Sequence, residues 1–147
     1  MRAELQNIDK VTLPSDYSLH IVFKCSSCNE ETSKAVVFTA EDKIEGIRGS
    51  SVNLRLKCGF CSRTSEISIV DKPFHYEGSG WKPLCILECR GMVPEKWILS
   101  DDPWTVIAES GAEIDDVVLE DSEYFGFDEK GMTEISITEF ESKFERA

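Results

Sequence analysis

The chain has 147 residues, enough for one ordinary domain or two small lobes with a real core, and its 41% hydrophobic and 30% charged content is that of a folded globular protein. The net charge of −12 is concentrated at one end: residues 1–100 carry 13 acids against 13 bases, residues 101–147 carry 15 against 3. That balance argues against nucleic-acid binding and against an anionic membrane surface, both of which need clustered Lys and Arg. Met1-Arg2-Ala3-Glu4 is polar and no apolar run reaches a membrane span, so the six cysteines are expected reduced, in the cytoplasm and also the nucleus.

In chain order, nearly every segment reads as strand. A first run holds Leu5, Ile8 and Val11 and ends at Pro14; a second, Tyr17 to Lys24, leads into Cys25-Ser26-Ser27-Cys28. Ala35 to Phe38 follows, then a polar loop from Thr39 to Ser51. Val52, Leu54 and Leu56 alternate with polar residues, the period of a half-buried strand, and run into Cys58-Gly59-Phe60-Cys61. Glu66 to Val70 leaves this second pair and stops at Pro73. Phe74 to Pro83, with Gly78 and Gly80, reads as a linker. Strands are expected again at Leu84 to Cys89, Trp104 to Ala108, Ile114 to Leu119 and Thr133 to Thr138, with one helix candidate at Thr138 to Arg146.

The two C-x-x-C pairs carry the chemistry. A tetrahedral Zn²⁺ holds four thiolates at about 2.3 Å, and a two-residue gap lets one tight turn aim both sulfurs of a pair at one point. Two such knuckles close the shell, so Cys25, Cys28, Cys58 and Cys61 are expected to bind one structural Zn²⁺ per chain. Asn29 and Gly59 are the residues expected to take positive φ there. A redox C-x-x-C wants one pair at a helix N-terminus; both pairs here follow β-type runs. Four thiolates leave no coordination position for water or substrate, which points away from catalysis by the metal. Lys24, Lys57 and Arg63 are accounted for as compensation of the −2 charge of such a centre.

Ser65-Glu66-Ile67-Ser68-Ile69 parallels Thr133-Glu134-Ile135-Ser136-Ile137. Looser parallels join Asp16 to Leu19 with Asp102 to Thr105, and Gly49 to Leu54 with Gly111 to Asp116. The expected fold is an all-β, two-lobed β-sandwich with an internal quasi-repeat. A zinc-bearing lobe would span 1–73, and an acidic lobe without metal 82–147.

Other constellations read as structural. Cys85 and Cys89, four apart on one strand, stand about 13 Å apart and read as buried free thiols. Glu88 and Arg90 read as an exposed ion pair. Trp81, Trp97 and Trp104, each near a proline, are expected to plug sandwich ends. His20 and His75 lie in no nucleophile motif, and no phosphate-cradling loop is present, so no catalytic residue is assigned. In Tyr124-Phe125-Gly126-Phe127 three aromatics cannot all point inward from a strand. With Glu120, Asp121 and Glu123 beside them, Tyr124, Phe125 and Phe127 form the candidate surface for a protein partner. The chain is expected to be monomeric. A metal-handling or redox-responsive zinc protein, releasing the ion on thiolate oxidation, is the alternative to a binding module.

The sequence resembles the eukaryotic CxxC-motif-containing zinc-binding proteins, long catalogued as a domain of unknown function. The pieces that carry the resemblance, in order along almost the whole chain, are Lys24-Cys25-x-x-Cys28, Arg48-Gly49-Ser50, Lys57-Cys58-x-x-Cys61, Glu88-Cys89-Arg90-Gly91 and Phe127-Asp128-Glu129-Lys130. It implies an all-β, two-lobed protein with zinc on the same four cysteines, and it brings no established activity.

Overall fold

Fifteen strands make up the described residues, 1–146, of the computed structural model, and no helix occurs among them. They are β1 (Arg2–Gln6), β2 (Ile8–Thr12), β3 (Leu19–Cys25), β4 (Val36–Phe38), β5 (Ile44–Glu45), β6 (Ser51–Val52), β7 (Leu54–Lys57) and β8 (Thr64–Asp71). After these come β9 (His75–Glu77), β10 (Ile86–Arg90), β11 (Met92–Ile98), β12 (Trp104–Ala108), β13 (Glu113–Val117), β14 (Tyr124–Asp128) and β15 (Thr133–Glu141). The all-β reading holds.

The strands fall into two compact units, both discontinuous in sequence. One comprises Met1–Pro14, Pro73–Leu84 and Asp101–Ser142; the other comprises Ser15–Lys72, Cys85–Ser100 and Lys143–Ala147. The first unit has sheets ordered β1-β15-β14 and β13-β12-β2-β9. Its core is Ala3, Val11, Tyr76, Val106, Val117, Ile135 and Ile137, with Trp104 packed edge-on against Phe140 at 6.0 Å. The second has sheets β10-β8-β7 and β11-β3-β4 and the small pair β5-β6. Leu19, Ile21, Phe23, Phe38, Leu54 and Ile67 fill it, with Phe23 and Phe38 6.2 Å apart. Period-2 alternation is plain in β3, where Leu19, Ile21, Phe23 and Cys25 are buried and the residues between them half-buried.

The units are built alike. The segments Ser65–Ile69 and Thr133–Ile137 lie in β8 and β15, the central strands of corresponding three-stranded sheets. The Asp16 and Asp102 segments likewise open into β3 and β12, central strands of the other sheets. The third sequence parallel fails, because β7 pairs with β8 whereas β13 pairs with β12. The pairs β1-β2 and β10-β11 hold equivalent places: β1 lies against β15 and β2 against β12, as β10 lies against β8 and β11 against β3. Each pair is divided by a left-handed residue, Asn7 (φ 58°) or Gly91 (φ 97°). Along the chain, β5, β6 and β9 apart, a leading pair and four further strands occur twice, and each leading pair lies against the other copy's four strands. This exchange overturns the expected boundaries at 1–73 and 82–147.

Three further expectations are corrected. Phe74 to Pro83 is no linker: β9 pairs with β2, and the buried Tyr76 hydroxyl donates to Gly80 O at 2.6 Å and accepts from the Ala3 amide at 3.3 Å. The C-terminal helix candidate is strand as far as Glu141, its residues continuing the ladder to β1. Only Trp104 among the tryptophans is a fully buried plug. Trp97 is half-buried against Tyr17, and Trp81 is 40% exposed under the Arg2 guanidinium. Glu88 and Arg90 form the expected exposed ion pair, at 2.8 Å.

Candidate metal centre

β3 and β7 each end in a cysteine knuckle, and the two knuckles share one backbone pattern. In the first, the Cys25 amide donates to Glu30 O and the Asn29 amide to Cys25 O, both at 2.9 Å. In the second, the Cys58 amide donates to Arg63 O at 2.8 Å and the Ser62 amide to Cys58 O at 3.0 Å. The chain reverses at a left-handed residue four positions after the first cysteine, Asn29 or Ser62, each with φ 64°. Asn29 was expected there. Gly59 does not take positive φ, because the reversal falls after the second cysteine and not inside the C-x-x-C gap.

The knuckles bring Cys25 Sγ to 3.7 Å from Cys61 Sγ and Cys28 Sγ to 3.6 Å from Cys58 Sγ, and all four sulfurs lie within 4.8 Å of one another. Four sulfurs at the corners of a tetrahedron with bonds of about 2.3 Å stand roughly 3.8 Å apart, so the set fits one Zn²⁺. Cys25 and Cys58 are buried, Cys28 is half-buried and Cys61 exposed. The donors are all sulfur, as a structural zinc site wants.

Backbone amides charge the first cysteine of each pair. The Cys28 and Ser27 amides point at the Cys25 sulfur and lower it to about 6; the Cys61 and Phe60 amides lower Cys58 in the same way. At Cys28 the Glu30 amide pulls downward, but burial and the neighbouring sulfurs of Cys58, Cys25 and Cys61 together push the thiol up to about 12. Cys25 is therefore a thiolate at neutral pH before metal arrives, and Cys28 is not. Zinc binding to metal-free protein at about pH 7.5 should release fewer than four protons, with the number rising below about pH 6 as Cys25 must also be deprotonated. Affinity accordingly falls ever more steeply on acidification. Calorimetry in buffers of different ionisation enthalpy measures this; release of nearly four protons at neutral pH would show that Cys25 is not a thiolate before metal binds.

The acidic unit fills the corresponding place without sulfur. Ile135 of β15 faces Gly126 of β14 as Ile67 of β8 faces Leu54 of β7, so the β14-β15 turn stands where the second knuckle does. At that turn Asp128, 1% exposed, accepts from the Ser110 hydroxyl at 2.6 Å and from the Lys130 amide at 3.0 Å. Ser110 belongs to the β12-β13 turn, the counterpart of the first knuckle. The hydroxyl above all, then the Gly131 and Lys130 amides, hold the carboxyl below the usual carboxylate range. Its contribution is thus present above the unfolded carboxyl value of about 3.9 and is lost as pH falls through the depressed folded value. Asp128→Asn should melt lower than wild type near pH 7, with the gap closing in acid; an unchanged gap would rule out the charge.

The candidate partner residues lie in this same acidic unit. Glu120 and Glu123 close a tight turn through two backbone hydrogen bonds of 2.9 Å, with Asp121 (φ 50°) and Ser122 (φ 64°) both left-handed, as a type I′ turn requires. Tyr124, Phe125 and Phe127 follow on β14, a strand the sequence reading left unassigned. Phe125 and Phe127 are exposed and Tyr124 half-buried, its ring over Gly126. Cys85 and Cys89 are half-buried and free, and burial raises each thiol to about 11.

The family model described as "CXXC motif containing zinc binding protein, eukaryotic" matches residues 1–145. The chain belongs to this family. A UPF0587 protein of Drosophila melanogaster is 33% identical over 97% of this chain and 91% of its own length. The human CXXC motif containing zinc binding protein is 27% identical over 98% and 94%. The crystal structure of C1orf123 superposes with a TM-score of 0.84 at 25% identity, covering 94% of this chain and 91% of that one. Two pieces that identify the CXXC zinc-binding family in the sequence gain a physical reason. Asp128 supplies the buried carboxylate of the turn link, and Gly91 takes φ 97° while its carbonyl accepts from the Ser26 amide of the first knuckle at 3.1 Å.

Proposed function

We propose that the chain is a non-catalytic zinc protein in which Cys25, Cys28, Cys58 and Cys61 hold one structural Zn²⁺ and the acidic unit docks a protein partner. The convergence of four sulfurs within 4.8 Å carries the metal half of this reading. The ion would cross-link the β3 and β7 tips of the neutral unit, and a closed thiolate shell gives no room for a substrate oxygen.

Charge supports the second half. The acidic unit holds 17 acidic against 4 basic side chains, a net −13, and the other unit nets +1. The 120–123 turn and β14 put carboxylates and exposed aromatics side by side, the composition of a salt-sensitive docking patch. Replacing Glu120→Gln, Asp121→Asn and Glu123→Gln together should weaken capture of a partner from native lysate and flatten its salt dependence. Asn tolerates the left-handed backbone at 121, so the turn survives. Undiminished capture would remove this surface from consideration.

A further inference from the structure

Edge strands carry unpaired backbone N–H and C=O groups, and proteins blunt them with charge, bulges, shortness or proline. In the acidic unit three of the four sheet edges are treated this way. β1 carries Arg2 and Glu4 and has a bulge between them; β13 carries Glu113, Asp115 and a left-handed Asp116; β9 is three residues long. β14 is the exception. It has five residues, pairs with β15 without a register break, and has no charged side chain before the buried Asp128.

β14 also presents apolar surface where an added strand would lie. Phe125 and Phe127, two residues apart on one face, are 68% and 51% exposed, across from Ser136 and Glu134 of β15. With Gln6 of β1 these residues border an open hollow of about 440 Å³ over the face of the sheet, on the inner side of β14. Gly126 between them adds no side chain of its own, and the Tyr124 ring covers it, so Phe125 and Phe127 are the side chains an added strand would meet. Acids stand at both ends of the strand: Glu120, Asp121 and Glu123 before it, Glu129 after it.

We infer that β14 accepts an extended basic segment of another protein as a fourth strand of the β1-β15-β14 sheet. The segment would set two apolar side chains, two residues apart, on Phe125 and Phe127, with Lys or Arg at its ends over the flanking acids. A second copy of this chain is disfavoured as occupant because it would bring −13 against −13. The inference rests on the docking reading above and specifies the chemistry of the docked element.

The probe is a capped synthetic peptide, Lys-Lys-Val-Ser-Val-Ser-Lys-Lys, titrated onto the zinc-loaded full chain. The expected result is binding that weakens about ten-fold or more in the Phe125→Ala/Phe127→Ala double variant, as loss of an aromatic anchor pair does. Methylating alternate backbone nitrogens of the peptide, which removes edge hydrogen bonds but no charge, should weaken it comparably, as should raising salt from about 50 to about 300 mM. The altered phenylalanines are solvent-facing, and an unchanged melting temperature verifies that the double variant folds. Binding that responds to salt and to neutralising Glu120, Asp121 and Glu123, but neither to the phenylalanine substitutions nor to backbone methylation, overturns strand addition and leaves the acidic docking surface standing. Absence of binding overturns the inference. Self-association of the chain, abolished by the double variant, overturns it in favour of a second copy.

Discussion

Cys58→Ser is expected to strip the protein of zinc, from one ion per chain to close to none after dialysis against a chelator, while Cys85→Ser retains it. Serine at 58 removes the sulfur 3.6 Å from Cys28 and the acceptor of two knuckle amides, whereas Cys85 stands outside the four-sulfur cluster. Structural zinc binding contributes on the order of 10–16 kcal/mol in zinc-finger peptides, which have little else to hold them. Here Leu19, Ile21, Phe23, Leu54 and Ile67 form a core of their own, so part of the unit persists and the knuckle tips fray. Hydrogen exchange should accelerate near 25–31 and 58–64 and stay slow in β12 and β15. Equal zinc in the two variants would refute the ligand assignment.

Gly91→Ala is expected to be the most damaging single-methyl addition outside the metal site. A Cβ there collides with Ser65 Oγ and lies 3.1 Å from Ser65 Cβ, and φ 97° suits no L side chain. Left-handed strain of about 1–2 kcal/mol and overpacking of about 1–3 kcal/mol together lower stability by roughly 2–5 kcal/mol. Because Gly91 O receives the Ser26 amide, the displacement passes into the first knuckle and should also weaken zinc retention. Ser65 is wholly buried and its hydroxyl has no hydrogen-bond partner among the described residues, so Ser65→Ala alone should be neutral or mildly stabilising. Combined with Gly91→Ala it should recover the part of the overpacking owed to the hydroxyl and leave the 3.1 Å contact with the residue 65 Cβ and the backbone strain. Urea midpoints of the four proteins test this cycle; strict additivity would show that the two residues do not meet.

What could be read from residues alone follows from how local the cause is. The four-cysteine cluster was legible because C-x-x-C fixes two sulfurs within one turn, and only the meeting of the two turns needed coordinates. Strands with period-2 alternation, such as β3 and β7, were legible for the same reason. β14 was missed because Gly126 and the flanking acids mask its pattern. β11 was missed because Pro94 sits in it, at a bulge where the ladder to β3 shifts register. Phe74 to Pro83 looks like a linker because its anchors are distant in sequence: β9 pairs with β2, and the Tyr76 hydroxyl reaches Ala3, 73 residues away. Gly59 drew attention as the obvious left-handed residue, although Ser62, held through its amide by Cys58 O, takes the turn. The Asp128–Ser110 link joins side chains 18 residues apart, and no spacing rule announces it.

The exchanged leading pairs have a consequence for the order in which the molecule can assemble during synthesis. β1 and β2 are made before the other described strands, yet β1 pairs with β15 and β2 with β12; Arg2 waits for Glu141, 139 residues on. The knuckle-bearing strands β3 and β7 could gather an ion early but lack β10 and β11 until Ile98 has emerged. A half-translated chain therefore carries unpaired strands whose native partners do not yet exist, and contacts of such long sequence separation close slowly. Early capture of a metal ion by the two knuckles would give the nascent polypeptide a fixed point while β1 and β2 await β15 and β12.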